Sequence, residues 1–346
     1  MDVHENKDPC KVTDSGARRR RLRWFVLAGR LGTGLALLLA ISYSICLFYL
    51  WHGDKAGDRF PPGVLADYVP EDSAAVLAVN FRQLLESSIG QQLKPLMERL
   101  IVRSARQMPW LELSEINPLD DIDTLLIFFP STVGGEPVAL AQGRFEPSRF
   151  QIGPGMLEEK DLDRFRVWEH HDRPAKQTTW LAAVGDMLVV SGSRSRVQAA
   201  LRQASAPQPV SVGERQLREL LTKVDRQQSL WLAASVKKLG PVSGIDNFLL
   251  KMVLRPLAAH AETVYGGITC AEDMRAELYF STGLDDGAAQ LEADLKSICE
   301  AAPGAALLDP HKELLPLMRL LAAGQIHRQG KTVRMQCRLS ADQLTK

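Results

Sequence analysis

The strongest hydrophobic pattern in the chain is an apolar stretch, Leu31–Leu50, that contains no charged residue. At a helical rise of about 1.5 Å per residue, such a stretch covers roughly 30 Å, which matches the hydrocarbon core of a bilayer. Trp24 precedes the stretch, and Tyr49 and Trp51 mark its far end. Because these aromatic rings favour the headgroup layer, the pattern predicts a transmembrane helix over residues 31–51.

The charges around this stretch predict its orientation. The positive-inside rule places the basic tail, residues 1–30, in the cytoplasm and the rest of the chain outside it. No small-residue cleavage site follows the stretch, so an uncleaved signal anchor in the cell inner membrane is favoured over a cleaved signal peptide. Ile45 directly before Cys46 argues against lipidation. The arginines before the span are Arg18, Arg19, Arg20, Arg21, Arg23 and Arg30.

Small residues recur at every fourth position of the predicted span: Gly32, Ala36, Ala40 and Ser44. Such a stripe lets two transmembrane helices approach closely, so it is a candidate helix–helix contact. Chance in a segment rich in Ala, Leu and Gly is the competing interpretation.

Beyond a polar linker, residues 52–67, strand-like and helix-like patterns alternate through residues 68–346. Ala74–Val79 is an apolar run of strand length, and Asn80 is a plausible N-cap for the helical stripe that follows. Gly185 with Asp186 predicts a tight hairpin, and Thr332–Leu339 alternates between apolar and polar positions. The fold class predicted is therefore α+β, with antiparallel sheets backed by helices.

Two passages suggest an internal duplication. LAVNFRQLL, which begins at Leu77, and LAASVKKLG, which begins at Leu232, both run from a strand into a basic helix. A hairpin followed by a helix comes later in each half. We therefore expect two related halves, residues 68–205 and 210–346.

Charge and motifs narrow the function. Residues 1–30 carry eight basic and four acidic side chains, so the remainder is slightly acidic, and a nucleic-acid partner is not expected. Adjacent residues His170 and His171 would point to opposite faces of a strand, which disfavours a shared metal ion. Asp120, Asp121 and Asp123 lack the remainder of a calcium loop, and Ser191 to Ser193 lacks the nucleophile elbow. We assign no catalytic, cofactor-binding or metal-binding residue, and a non-enzymatic role is favoured.

Five cysteines divide between the predicted compartments. Cys10 is cytoplasmic, Cys46 lies in the span, and Cys270, Cys299 and Cys337 are exported. Cys270 and Cys337 both fall on the apolar side of predicted strands and could form a disulfide. Buried free thiols are an equally open interpretation.

A resemblance bears on location and fold. Three passages carry it: Tyr68–Gly90 (YVPEDSAAVLAVNFRQLLESSIG), Ile122–Phe129 (IDTLLIFF) and Asp186–Leu201 (DMLVVSGSRSRVQAAL). They resemble uncharacterised membrane-anchored exported proteins of planctomycete-like bacteria. The resemblance implies a similar location and fold but no assigned activity.

Two functions from different classes follow. The first is an interaction or scaffold module, which binds another membrane or envelope protein or a second copy of itself. The second is a ligand-binding or sensory domain that uses a cleft between the two halves. An unrecognised hydrolase ranks below both.

Overall fold

The computed structural model describes residues 70, 72–105, 109–131, 135–153, 156–172, 177–204, 215–239, 255–307 and 315–345. These residues build one large antiparallel sheet with helices, so the predicted α+β class with antiparallel pairing is confirmed. The basic tail, the predicted span and the linker lie outside the described residues. Among the helices that are described, none combines the length and apolar character that a membrane crossing requires.

Twelve strands form the sheet, in the order β11-β12-β10-β9-β8-β1-β2-β3-β7-β6-β5-β4. Their bounds are β1 (Ser73–Asn80), β2 (Ile122–Pro130), β3 (Val138–Gly143), β4 (Glu158–Leu162), β5 (Phe165–Asp172), β6 (Gln177–Val184), β7 (Met187–Ser191), β8 (Leu230–Ser235), β9 (Ala261–Cys270), β10 (Asp273–Thr282), β11 (Gln325–Gln329) and β12 (Thr332–Ser340).

Residues 255–260, directly before β9, are helical. The helices whose bounds are fully described lie between β1 and β2, between β7 and β8, between β10 and β11, and after β12. They are α1 (Phe81–Glu86), α2 (Ser88–Ala105), α3 (Pro109–Leu113), α4 (Pro118–Asp121), α5 (Arg194–Ala204), α6 (Arg215–Leu221), α7 (Asp285–Leu307), α8 (Leu315–Ala322) and α9 (Ala341–Thr345).

The sheet is continuous across its centre because β1 pairs with β8 as well as with β2. Leu77 of β1 lies directly opposite Leu232 of β8 in this antiparallel pair. Strands β1 to β7 therefore extend to one side of the junction and strands β8 to β12 to the other. Both halves share one sheet and one pattern of antiparallel hydrogen bonds.

One face of the sheet is apolar in both halves. Leu125 of β2 belongs to a core on this face that continues into the second half, where it includes Phe280 of β10 and Val333 of β12. Helix α1 contacts β2, whereas α2 and α7 both contact β9 and β10. Helices α2 and α7 therefore both lie on the second-half side of the β1–β8 junction.

The opposite face is apolar only in the first half and at β8. Leu126 of β2 and Val189 of β7 pack there against Val197 of α5 and Leu220 of α6. Beyond β8, the residues that β9, β10 and β12 place on this side are largely polar or aromatic. Because an antiparallel sheet tolerates water on one face, this composition fits a face that no described helix crosses.

Local sequence explains where β1 ends and the first helix begins. Asn80 is the predicted N-cap: its Oδ1 accepts a hydrogen bond from the backbone N of Gln83 at 3.2 Å. The helix ends at Ser87, whose Oγ donates to the backbone O of Leu84 at 2.6 Å. The hairpin predicted at Gly185 is also confirmed, and Gly185 has φ +61°, a conformation that glycine adopts without strain.

Three strands are not apparent from the hydrophobic pattern alone. Phe165–Asp172 is an interior strand, paired on both sides. The edges of the sheet are β4, a charged segment, and β11, a polar segment. Charged and polar edge strands are common because they discourage pairing with other chains.

Candidate functional site

The candidate site is the part of the sheet that is polar instead of apolar, which we call the polar face. Its members lie on three adjacent strands and share one side of the sheet, since residues two apart on a strand point the same way. They are Tyr265 of β9, Asp273, Arg275, Glu277 and Tyr279 of β10, and Arg334, Gln336 and Arg338 of β12.

Glu277 is the hydrogen-bonding centre of the polar face. Its Oε1 accepts from the hydroxyl of Tyr279 at 2.6 Å, from the guanidinium of Arg334, and from Nε2 of Gln336 at 3.3 Å. Burial alone would raise the pKa of this carboxyl, but these hydrogen bonds outweigh burial and hold the pKa below its usual range. Glu277 is therefore a charged anchor that fixes the side chains around it.

Two tyrosines form an aromatic platform beside this anchor. Tyr265 and Tyr279 lie directly opposite each other on β9 and β10, and their rings stack with centroids 5.0 Å apart and planes 9° apart. The guanidinium of Arg334 lies 5.5 Å from the Tyr279 centroid, and Nζ of Lys223 lies 5.6 Å from the Tyr265 centroid. Such cation–π contacts hold the positive charges close to the rings.

The hydrogen bond to Glu277 is the main cause that raises the pKa of Tyr279, and burial adds to it. Burial is the main cause that raises the pKa of Tyr265. Both hydroxyls are thus neutral at physiological pH, and the platform itself carries no charge.

A second charged group lies at the other end of the polar face. Arg275 and Arg338 are directly opposite each other on β10 and β12, and both bind the carboxylate of Asp273. The contact from Arg275 Nε to Asp273 Oδ1 is 2.9 Å. The two arginine side chains are 62% and 71% exposed, so their guanidinium groups reach solvent while the carboxylate, at 14%, lies beneath them.

This arrangement suits binding better than catalysis. The central carboxylate already accepts three hydrogen bonds and is stabilised as the anion, so it is a poor proton acceptor. Exposed arginine and tyrosine, by contrast, are the residue types enriched at protein interfaces. The polar face therefore offers recognition by charge, by hydrogen bonds and by aromatic contact.

The histidine pair follows the prediction made for it. His170 is buried and His171 is exposed on the other side of β5. His171 Nε2 lies 3.3 Å from Glu169 Oε1, and its Nδ1 lies 3.0 Å from Thr178 Oγ1. Within the part of the chain that the structure describes, no group of three His, Cys, Asp or Glu side chains is placed to hold a metal ion.

The other polar motifs have structural positions. Asp121 Oδ2 accepts a hydrogen bond from the backbone N of Asn117 at 2.7 Å and so stabilises the turn before β2. Ser191 is buried, and its Oγ donates to the backbone O of Pro137 at 2.8 Å. Neither Asp121 nor Ser191 belongs to the polar face.

The cysteine prediction needs a correction. Cys270, Cys299 and Cys337 are buried free thiols in this structure, as the alternative interpretation held. Cys270 lies on β9 and Cys337 on β12, and β10 runs between them. Strands two apart in a sheet are separated by roughly 9–10 Å, whereas a disulfide requires Cα atoms within about 7 Å. The proposed bridge between Cys270 and Cys337 is therefore not formed.

The candidate helix–helix contact, Gly32, Ala36, Ala40 and Ser44, lies outside the described residues and stays a prediction. Sequence reasoning missed the polar face, although one signal was present. Arg334, Gln336 and Arg338 alternate with buried residues of β12. The sequence pattern predicted this alternation, but no function was assigned to the polar side. The matching alternation in β10 carries the tyrosine and the acids that complete the surface.

Comparison of the chain with protein-family models, with curated proteins and with solved structures found no match. The resemblance to membrane-anchored exported proteins of planctomycete-like bacteria therefore stays a prediction from the sequence.

Proposed function

We propose that this protein is an interaction module, anchored in the inner membrane by residues 31–51, that binds a partner protein through the polar face. The observation that carries the proposal is the asymmetry of the sheet. One side of the first half is apolar and lies under α5 and α6, while the same side of the second half carries half-buried stacked tyrosines and exposed paired arginines.

Simple solubility would not need this composition. A solvated sheet face is well served by Lys, Glu and Thr, whereas Tyr and Arg are the residues that interfaces favour. Hydrogen bonds and ring stacking also hold several of these side chains in one arrangement. A partner that binds a preorganised surface loses less conformational entropy in doing so.

The anchor supports the choice of partner. A basic tail before an apolar stretch of membrane-spanning length supports a cytoplasmic N-terminus and an extracytoplasmic domain. Partners of such a domain would be other membrane or envelope proteins, or a second copy of the chain. We propose no catalytic activity.

The strand order supports the proposed internal duplication. The order β1-β2-β3-β7 on one side of the junction corresponds to β8-β9-β10-β12 on the other. Leu77 and Leu232 occupy equivalent positions in the two aligned passages, and they are also directly paired with each other in the β1–β8 ladder. A fragment of residues 70–204 should then pair its exposed β1 with β1 of a second copy and dimerise. A folded fragment that stays monomeric at high concentration would count against the duplication.

The function is tested by a cross-linked pull-down of the tagged full-length protein from its native membranes, read by mass spectrometry. We expect a stoichiometric partner with the natural sequence, and its loss with Arg338→Glu, because that side chain is exposed at the polar face. The matched control is Arg202→Glu, an exposed arginine that also pairs with an aspartate, Asp163, but lies on α5.

Two outcomes would contradict the proposal. A partner retained at full yield by Arg338→Glu would place the binding surface elsewhere. Recovery of the protein alone would favour the ligand-binding or sensory role, which a thermal-shift screen with small molecules then tests.

A further inference from the structure

The net charge of the polar face differs in sign from that of the domain that carries it. The whole chain has a net charge of +1, and residues 1–30 alone contribute eight basic and four acidic side chains. Residues 31–346 therefore have more acidic than basic side chains. Around the polar face the balance is reversed. Among its members, Arg275, Arg334 and Arg338 are basic, and Asp273 and Glu277 are acidic.

The excess positive charge is concentrated at the pair of Arg275 and Arg338. Like charges directly opposite each other on neighbouring strands destabilise a sheet. Asp273 compensates one of the two charges and leaves the other uncompensated. Glu277, in contrast, compensates the nearby charge of Arg334.

The hydrogen-bonding geometry leaves room for a second anion. Arg275 and Arg338 both reach Asp273 through Nε. Within the described residues, the terminal nitrogens of these two guanidinium groups are not engaged by that contact. They form the end of each side chain that is more than half exposed to solvent. Paired terminal N–H groups of arginine match the geometry of a carboxylate.

We propose that the pair of Arg275 and Arg338 receives a carboxylate of an acidic segment of the partner protein, with the Tyr265–Tyr279 platform beside it. This inference rests on the proposed function and names the chemistry of the partner. An added carboxylate relieves the repulsion between the two guanidinium groups, so the free surface is prepared for an acidic ligand.

A labelled oligoglutamate peptide is the probe, titrated by fluorescence anisotropy against the full-length protein in detergent. The double variant Arg275→Gln with Arg338→Gln should weaken binding by about tenfold or more, since a charge-assisted bidentate contact is removed. Asp273→Asn should strengthen binding several-fold, because it removes the competing carboxylate. Arg202→Glu is the control and should leave affinity unchanged, and added salt should weaken binding in every case.

The double arginine variant is expected to weaken peptide binding and Asp273→Asn to strengthen it. Because a folding defect would weaken binding in both variants, the test separates the two causes. If both changes weakened binding, an indirect structural effect would be the cause and the inference would be wrong. Binding that survives the double variant would also overturn it, as would no binding of the peptide at all. Vesicles with anionic lipids form a separate arm: binding to vesicles without binding to the peptide would assign the surface to lipid headgroups instead.

Failure here and failure of the proposed function remain distinguishable. A stoichiometric partner in the pull-down that is lost with Arg338→Glu, but does not compete with oligoglutamate, would keep the interaction role and reject the acidic segment. Absence of any partner would reject the role itself.

Discussion

Gly266 of β9 provides the sharpest test of how the strands under the polar face pack. Both the backbone conformation at this position and the lack of space for a side chain require glycine. Its φ is +136°, which side chains of L-residues rarely adopt. A Cβ at this position would lie 2.1 Å from the backbone O of Glu277 and 3.0 Å from Cα of Leu278. The neighbouring strand β10 would have to move away.

The cost of Gly266→Ala has two parts. The backbone conformation costs on the order of 1–3 kcal/mol for a residue with a side chain. Movement of β10 would also weaken one or two ladder hydrogen bonds, each of about 1 kcal/mol. We expect a loss of about 3–4 kcal/mol, which is a large share of the 5–15 kcal/mol (roughly) by which domains are stable.

Gly330→Ala is the matched control. Gly330 also has a positive φ, +55°, but an added Cβ would have no atom within 4 Å. Only the conformational cost applies there, about 1–2 kcal/mol. Urea unfolding of the full-length protein in detergent, followed by tryptophan fluorescence, measures both losses. Equal losses for the two variants would refute the claim that close approach of β10 is what requires glycine at position 266.

Three further predictions concern ionisable side chains. Glu277→Gln should destabilise the protein at pH 7, and this loss should shrink as pH falls below the usual glutamate pKa: the folded-state pKa is lowered, so the stabilisation is present above the unfolded pKa and is lost as pH falls through the folded pKa. Asp121→Asn should do the reverse and stabilise the protein at pH 7, because burial raises the pKa of Asp121 and makes its charged form costly; thermal melts across pH test both, and unchanged pH profiles would contradict them. Cys270, Cys299 and Cys337 should resist alkylation at pH 8 until the protein is denatured, since burial raises all three pKa values, to about 12 for Cys270 and Cys337; modification of the native protein, seen by mass, would contradict this.

The sequence predicted which side of a strand each side chain lies on better than it predicted which strands pair with each other. Alternation in β12 correctly assigned Val333, Met335, Cys337 and Leu339 to the buried side, because the direction of a side chain depends on position along its own strand. Which strand lies alongside depends on pairing between distant segments, and a single strand contains no record of that. The same limit explains why Cys270 and Cys337 could be assigned to apolar positions while a disulfide and buried free thiols both stayed open, and the structure has free thiols.

Neighbour relations also explain why the polar face was missed. Arg275 becomes notable only when Arg338 is known to lie opposite it, and Tyr279 only when Tyr265 stacks on it. The edge strands β4 and β11 were missed for a different reason. Their polar and charged residues protect open edges, and that composition hides the alternation by which a strand is recognised.

The pairing of β1 with β8 has a consequence for the order in which the chain is made. Strand β1 leaves the ribosome first, yet its second partner follows about 150 residues later, which at 5–20 residues per second is a delay of roughly 8–30 s. Through that interval Ala74 to Val79, all apolar, would form an unprotected edge. Chaperones that hold nascent or translocating chains therefore have a defined segment to shield, and a slowed ribosome between the two halves would lengthen the exposure.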